Sequence, residues 1–137
     1  MEHRVSVWAL IQNAEGNYLF TRRHPGDDFG GCWDIPGGRM QEGEQPIETV
    51  LREVREEVSL RLAHGKLLTA VSEQGHHDTW VTFLLYAFQF FGDPNDVHLD
   101  DDHTDYRWLT VQEARRECEF ASAAKKLIDQ LVNEGYV

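Results

Sequence analysis

Between Gly37 and Leu60 the chain reads GGRMQEGEQPIETVLREVREEVSL, and no other stretch limits its fold so tightly. Two adjacent glycines follow Pro36, where a backbone without Cβ turns tightly and lies close to a ligand. Pro46 suits the first position of a helix, because the N–H it lacks has no partner there in any case. From Pro46 onward the apolar residues recur with a helical period. Ile47, Val50, Leu51, Val54 and Val58 fall within about 60° of one direction at ~100° per residue, which makes a core-facing stripe. On the same wheel Glu53, Glu56 and Glu57 fill an arc of roughly 100° away from the stripe, so their carboxylates stack on one exposed side of one turn.

Carboxylates at this spacing repel by about 0.2–0.5 kcal/mol per pair. Taken alone, such a cluster is a solvated helix face with Arg52 and Arg55 as partners. A hard cation reverses the sign, since Mg²⁺ takes a few carboxylate oxygens together with substrate phosphates. The whole pattern around the cluster, and the resemblance it carries, favour the cation. From Gly38, five residues lead to Glu44 and seven more to Arg52-Glu53; then come Val54, one residue, Glu56-Glu57, one residue, Ser59 and Leu60. This resembles the Nudix box, G-x5-E-x7-R-E-U-x-E-E-x-G-U with U aliphatic, at every specified position except one. Six identities at fixed spacing arise by chance roughly once in ten million starting positions at average residue usage. The string WDIPGG, Trp33–Gly38, extends the resemblance upstream. The exception is Ser59, where the family has glycine: a left-handed cap there strains an L-residue by about 1 kcal/mol.

The resemblance implies a Mg²⁺-dependent pyrophosphohydrolase, with Mn²⁺ as a substitute. Glu53, Glu56 and Glu57 hold the metal, with a carbonyl of Gly37 or Gly38 nearby. Arg52 pairs with Glu44 or Glu56 and orients the ligands. The general base is either a box glutamate or an acid of a later loop. Asp102, six residues before Trp108, stands where MutT-like members often carry a glutamate, and is the candidate for an extra ligand or base. Arg22-Arg23 matches an arginine pair of that group, so Arg23 is the expected phosphate contact, its planar fork suiting phosphate oxygens.

Within the family, compact length and the arginine pair favour hydrolysis of a nucleoside triphosphate to a monophosphate and pyrophosphate. The segment Glu73–Asp78 lacks the proline of ADP-ribose hydrolases and the tyrosine of dinucleoside polyphosphate hydrolases, though ADP-ribose or a nucleotide sugar stays open. Phe120–Lys126 offers no Asn to read a purine edge, against the oxidised-guanine specialists. A nucleotide sensor without turnover is the rival from another class, and the intact glutamates and Arg52 count against it. A prenyl diphosphate isomerase on the same fold would want a placed cysteine, for which only Cys32 is near.

Outside this motif the order of strands and helices gives an α+β protein with a mixed sheet covered by helices on its faces, and the resemblance implies the Nudix fold, an α/β/α sandwich. Its 137 residues make one domain that buries roughly two thirds of its unfolded surface. Arg4–Gln12 is a buried strand, Asn13–Gly16 a hairpin turn, Asn17–Arg22 the returning strand and His24–Gly31 a loop. Gly65–Ser72 is a short strand, Glu73–Asp78 a turn, Thr79–Phe90 a central strand, and Phe91–Asp105 an acidic connector to Tyr106–Leu109. Thr110–Glu113 opens a helix with a capping box. The last helix, about Ala121–Asn133, carries Ala124, Leu127, Ile128 and Leu131 as its stripe.

A net charge of −11 argues against a duplex-binding protein, which needs a basic face. A small nucleotide held through a metal remains the expected partner, to a monomer or homodimer. With no apolar run of membrane length and no leader pattern, the expected location is cytoplasmic. Cys32 and Cys118 suit a reduced compartment and read as packing residues. Trp33, Trp80, Phe83 and Phe120 are core aromatics before they are base-stacking ones. His76-His77 lacks zinc spacing, and His98 and His103 carry no signal.

Overall fold

A computed structural model describes residues 1–137. The elements run β1 (Glu2–Asn13), β2 (Tyr18–Arg23), β3 (Trp33–Asp34), β4 (Gly37–Arg39), α1 (Pro46–Val58), β5 (Lys66–Gln74), β6 (Thr79–Phe90), β7 (His103–Leu109), α2 (Val111–Glu117) and α3 (Ser122–Asn133). The spine is the parallel pair of β1 and β6, in register from Glu2 opposite Thr79 to Asn13 opposite Phe90. The sheet orders as β3-β2-β1-β6-β5, with β4 on β1 and β7 on β2, and every pair but the spine is antiparallel. The expected mixed sheet is present.

β1 reads as a continuous apolar run because both its faces are covered. Trp8 and Leu10 point to one side, where Val111 and Ala114 of α2 and Ala124, Leu127, Ile128 and Leu131 of α3 close the core. Val7, Ala9 and Ile11 point to the other, against Val50, Val54 and Val58 of α1. The helices thus lie on opposite faces, an α/β/α sandwich. α2 begins with reciprocal bonds between Thr110 and Glu113, at 3.1 and 3.0 Å. No helix is long and apolar enough to cross a membrane.

The structure corrects four expectations. Gly37 and Gly38 do not turn: they form β4, paired to Trp8 and Val7, and neither adopts a positive φ. They are glycines for closeness. A Cβ on Gly37 would overlap the Trp8 side chain and the Val7 carbonyl, and one on Gly38 would overlap the Glu53 carboxyl. The strand expected over Gly65–Ser72 continues to Gln74, leaving a turn in which His77 and Asp78 are left-handed, with φ 54° and 57°. The strand expected at Tyr106 begins at His103, because β2 still offers Arg23 as a partner there. Finally, the acidic face of α1 is not uniformly exposed: Glu56 is, whereas Glu53 and Glu57 are partly covered by β4.

Candidate active site

The packing of α1 on β4 builds the site. Gly37 donates its N–H to Glu57 Oε2 at 2.9 Å. Arg52 forks onto Glu44, from Nε to Oε2 at 2.7 Å and from Nη2 to Oε1 at 3.0 Å. Its Nη1 also meets Glu53 Oε1 at 3.0 Å and Glu56 Oε2 at 3.3 Å, so one guanidinium holds three glutamates. Arg52 holds the Glu44 carboxyl down to about 2, helped by the Gln41 N–H and opposed by slight burial.

Glu53, Glu57, Gly37 and Gly38 line a cavity of about 510 Å³. Burial pushes the Glu57 carboxyl well above its ordinary 4.5; the Gly37 N–H opposes this, and the charges of Glu53, Asp34 and Asp100 add to the upward push. Burial likewise raises Glu53, against the pull of Arg52. Asp102 lines the same cavity, as do the cations Arg4, Arg23 and Arg39 and an apolar wall that includes Trp8 and Phe83. Glu56 does not line it; that side chain is 57% exposed and turned to Arg52.

Two pairs escaped the sequence. Arg23 is not a free fork: its Nη1 donates to Asp34 Oδ2 at 3.0 Å, while its buried Nε has no partner. Asp34 is 8% exposed, and burial raises its carboxyl against the Ile35 N–H and Arg23. The signal was an acid inside the otherwise apolar Trp33–Pro36. The second pair is Asp100 Oδ1 with His103 Nδ1, 2.7 Å apart, and His103 lines the cavity. Its signal was an acid three residues ahead of a histidine. Of Trp33, Trp80, Phe83 and Phe120, Phe83 alone lines the cavity; Trp33 is buried under Arg107, Phe120 packs on Phe20, and Trp80 is exposed. Cys32 and Cys118 are free thiols.

Carboxylates and guanidiniums facing one cavity over a glycine strand define a phosphate-handling domain. The chain matches the NUDIX domain over residues 2–131 and belongs to that family. It is 30% identical over 126 residues to an RNA pyrophosphohydrolase of Gluconacetobacter diazotrophicus, covering 74% of this chain and 71% of that protein. It is 27% identical over 126 residues to an 8-oxo-dGTP diphosphatase of Haemophilus influenzae, covering 91% and 88%. The crystal structure of a MutT protein from Methanosarcina mazei Go1 superposes with a TM-score of 0.83 at 25% identity, covering 98% and 96%. The reaction class expected from the sequence, hydrolysis of an acid anhydride of a nucleoside phosphate, is that of the family.

Such hydrolases need a divalent metal, and the donors here fit one. Glu53 engages Arg52 through Oε1 and Glu57 engages Gly37 through Oε2, which leaves each with a second, hard oxygen. Two such oxygens lining one cavity suit a hard cation, which would complete its shell with water and phosphate.

The glycines separate fold from function. Gly37→Ala meets backbone and a core tryptophan, and is expected to lower stability by about 1–3 kcal/mol. Gly38→Ala meets only a side chain that can swing away, so it should spare most of the melting temperature while displacing Glu53 and lowering kcat. Thermal melts beside turnover assays test this; equal losses of stability in both would contradict the assignment of Gly38 to Glu53.

Proposed function

We propose that this chain is a Mg²⁺-dependent nucleoside triphosphate pyrophosphohydrolase, with Mn²⁺ able to substitute, that releases a monophosphate and pyrophosphate. The observation that carries the proposal is one cavity lined by Glu53 and Glu57 on the helix side and by Arg4, Arg23 and Arg39 around them. When bound, the metal supplies charge neutralisation at the phosphate oxygens and lowers the pKa of a coordinated water. Glu53 and Glu57 would hold it, with the Gly38 carbonyl as a further donor, and Glu56, which meets Arg52, would be free to join once that contact is released. Arg52, anchored on Glu44, fixes Glu53 in place. The arginines take non-bridging phosphate oxygens, Arg23 being aimed by Asp34. Asp102 is the candidate for the base that takes the proton of the attacking water. The apolar wall with Phe83 receives the nucleoside.

A net charge of −11 favours a small nucleotide over a nucleic acid polymer. We assign the protein to the cytoplasm as a single domain. The test is release of phosphate or pyrophosphate, with Mg²⁺, Mn²⁺ or chelator, from nucleoside triphosphates including 8-oxo-dGTP, from ADP-ribose, nucleotide sugars and dinucleoside polyphosphates, and from a 5′-triphosphorylated oligoribonucleotide. Metal-dependent pyrophosphate from a triphosphate is the expected result. Turnover confined to ADP-ribose or to the oligonucleotide would move the substrate; nucleotide binding without turnover would make the protein a sensor.

A further inference from the structure

The end of α1 is stitched to the connector between β6 and β7. The Val58 carbonyl accepts the His98 N–H at 3.1 Å, and the Glu57 carbonyl accepts the Asp100 N–H at 3.1 Å. Ser59 donates its hydroxyl to the His98 carbonyl at 2.9 Å. It is the only side chain among the three contacts, and it stands at the one position where the box departs from glycine. Its backbone is left-handed, φ 63° and ψ 27°, so a glycine would sit there without strain.

The hydroxyl holds a segment with no helix or strand of its own. Asp100 Oδ1 gathers the end of that segment, taking the Asp102 N–H at 3.2 Å and lying 2.7 Å from His103 Nδ1. Asp102 and His103 then line the same cavity as Glu53 and Glu57. The backbone bonds at Val58 and Glu57 are open to any sequence; the Ser59 bond needs a side chain that can donate, which a glycine lacks.

We propose that Ser59 is a positioning residue: its hydroxyl clamps the connector to the end of α1 and so sets Asp102 and His103 at the hydrolytic cavity. The proposal rests on hydrolysis taking place there. Ser59→Gly removes hydroxyl and strain together, Ser59→Ala removes the hydroxyl and keeps the strain, and Ser59→Asn restores a donor in a residue that tolerates left-handed backbone.

In Ser59→Gly the melting temperature should hold or rise while kcat falls about three- to tenfold, the scale of one hydrogen bond, at unchanged KM. The amides of His98 and Asp100 should exchange about tenfold faster. Ser59→Ala should show the same loss of kcat at a lower melting temperature, and Ser59→Asn should recover most of the turnover. With Asp102→Asn and His103→Gln already present, Ser59→Gly should cost nothing further.

Wild-type kcat in Ser59→Gly overturns the proposal, whatever the exchange rates. A full additional loss in the triple variant also overturns it. Wild-type protein that turns over no substrate is a failure of the hydrolytic reading instead, and the amide exchange of Ser59→Gly then decides the clamp alone.

Discussion

Glu57→Gln should lower kcat by about 10³-fold, since a metal ligand supports several kcal/mol of transition-state stabilisation, without making the metal-free protein less stable. Glutamine keeps an acceptor for the Gly37 N–H, which lies 2.9 Å from Glu57 Oε2, so the packing of α1 on β4 survives. What it loses is a charge that the fold does not favour. Burial, with Glu53, Asp34 and Asp100 nearby, pushes this carboxyl well above 4.5. The folded chain therefore binds its proton more tightly than the unfolded chain does, and the linked stability is fully present below 4.5 and lost as pH rises through the folded value. In chelator the wild-type melting temperature should decline over that window while Glu57→Gln holds flatter. Added Mg²⁺ should restore the wild type alone, because only its second carboxylate oxygen rewards the ion. Near-wild-type turnover in both Glu57→Gln and Glu53→Gln would remove the metal assignment.

The same residues show what one sequence discloses. The stripe of α1 and the stripe of α3 were legible because helical period depends only on neighbours a turn away, and Val50, Val54, Val58, Leu127, Ile128 and Leu131 are all buried. The left-handed Ser59 was legible only through the glycine that the resembled box carries at that place, and its φ is 63°. The role of Gly37 and Gly38 was not. Their want of a Cβ is explained by Trp8 and Glu53, which reach them from β1 and α1, and adjacent glycines suggest a turn as readily as a close approach. Asp34 and His103 were hidden for a similar reason. Arg23 meets Asp34 only once β2 pairs with β3, and His103 meets the cavity only once β7 pairs with β2. The three-glutamate turn was legible as a cluster, yet its division into two cavity groups and one outward group needed β4 to be laid across it.

Arg52→Ala should lower kcat by about 10- to 100-fold, the range for partners that orient metal ligands, and should also lower the melting temperature. The two effects share a cause. The guanidinium touches Glu44 at 2.7 and 3.0 Å, Glu53 at 3.0 Å and Glu56 at 3.3 Å, so its removal leaves like charges facing one another with no cation between them. Glu56 is mostly exposed and turns to water. Glu53 is less free, with β4 against it and burial already raising its carboxyl. Lysine keeps the charge but is a point donor on a flexible stem and cannot fork onto Glu44 while reaching Glu53, so Arg52→Lys should recover stability before it recovers kcat. Acid supplies a separate readout. Glu44 is held down to about 2, below its ordinary 4.5, so the stability it contributes is present above 4.5 and is lost as pH falls through 2. That segment of the acid melt should flatten in Arg52→Ala, where the cause of the depression is gone, and persist in Glu56→Gln, where it is not. An unchanged acid melt in Arg52→Ala, with kcat within twofold of wild type, would mean that Arg52 is only an exposed helix charge and that Glu53 is positioned by β4 alone.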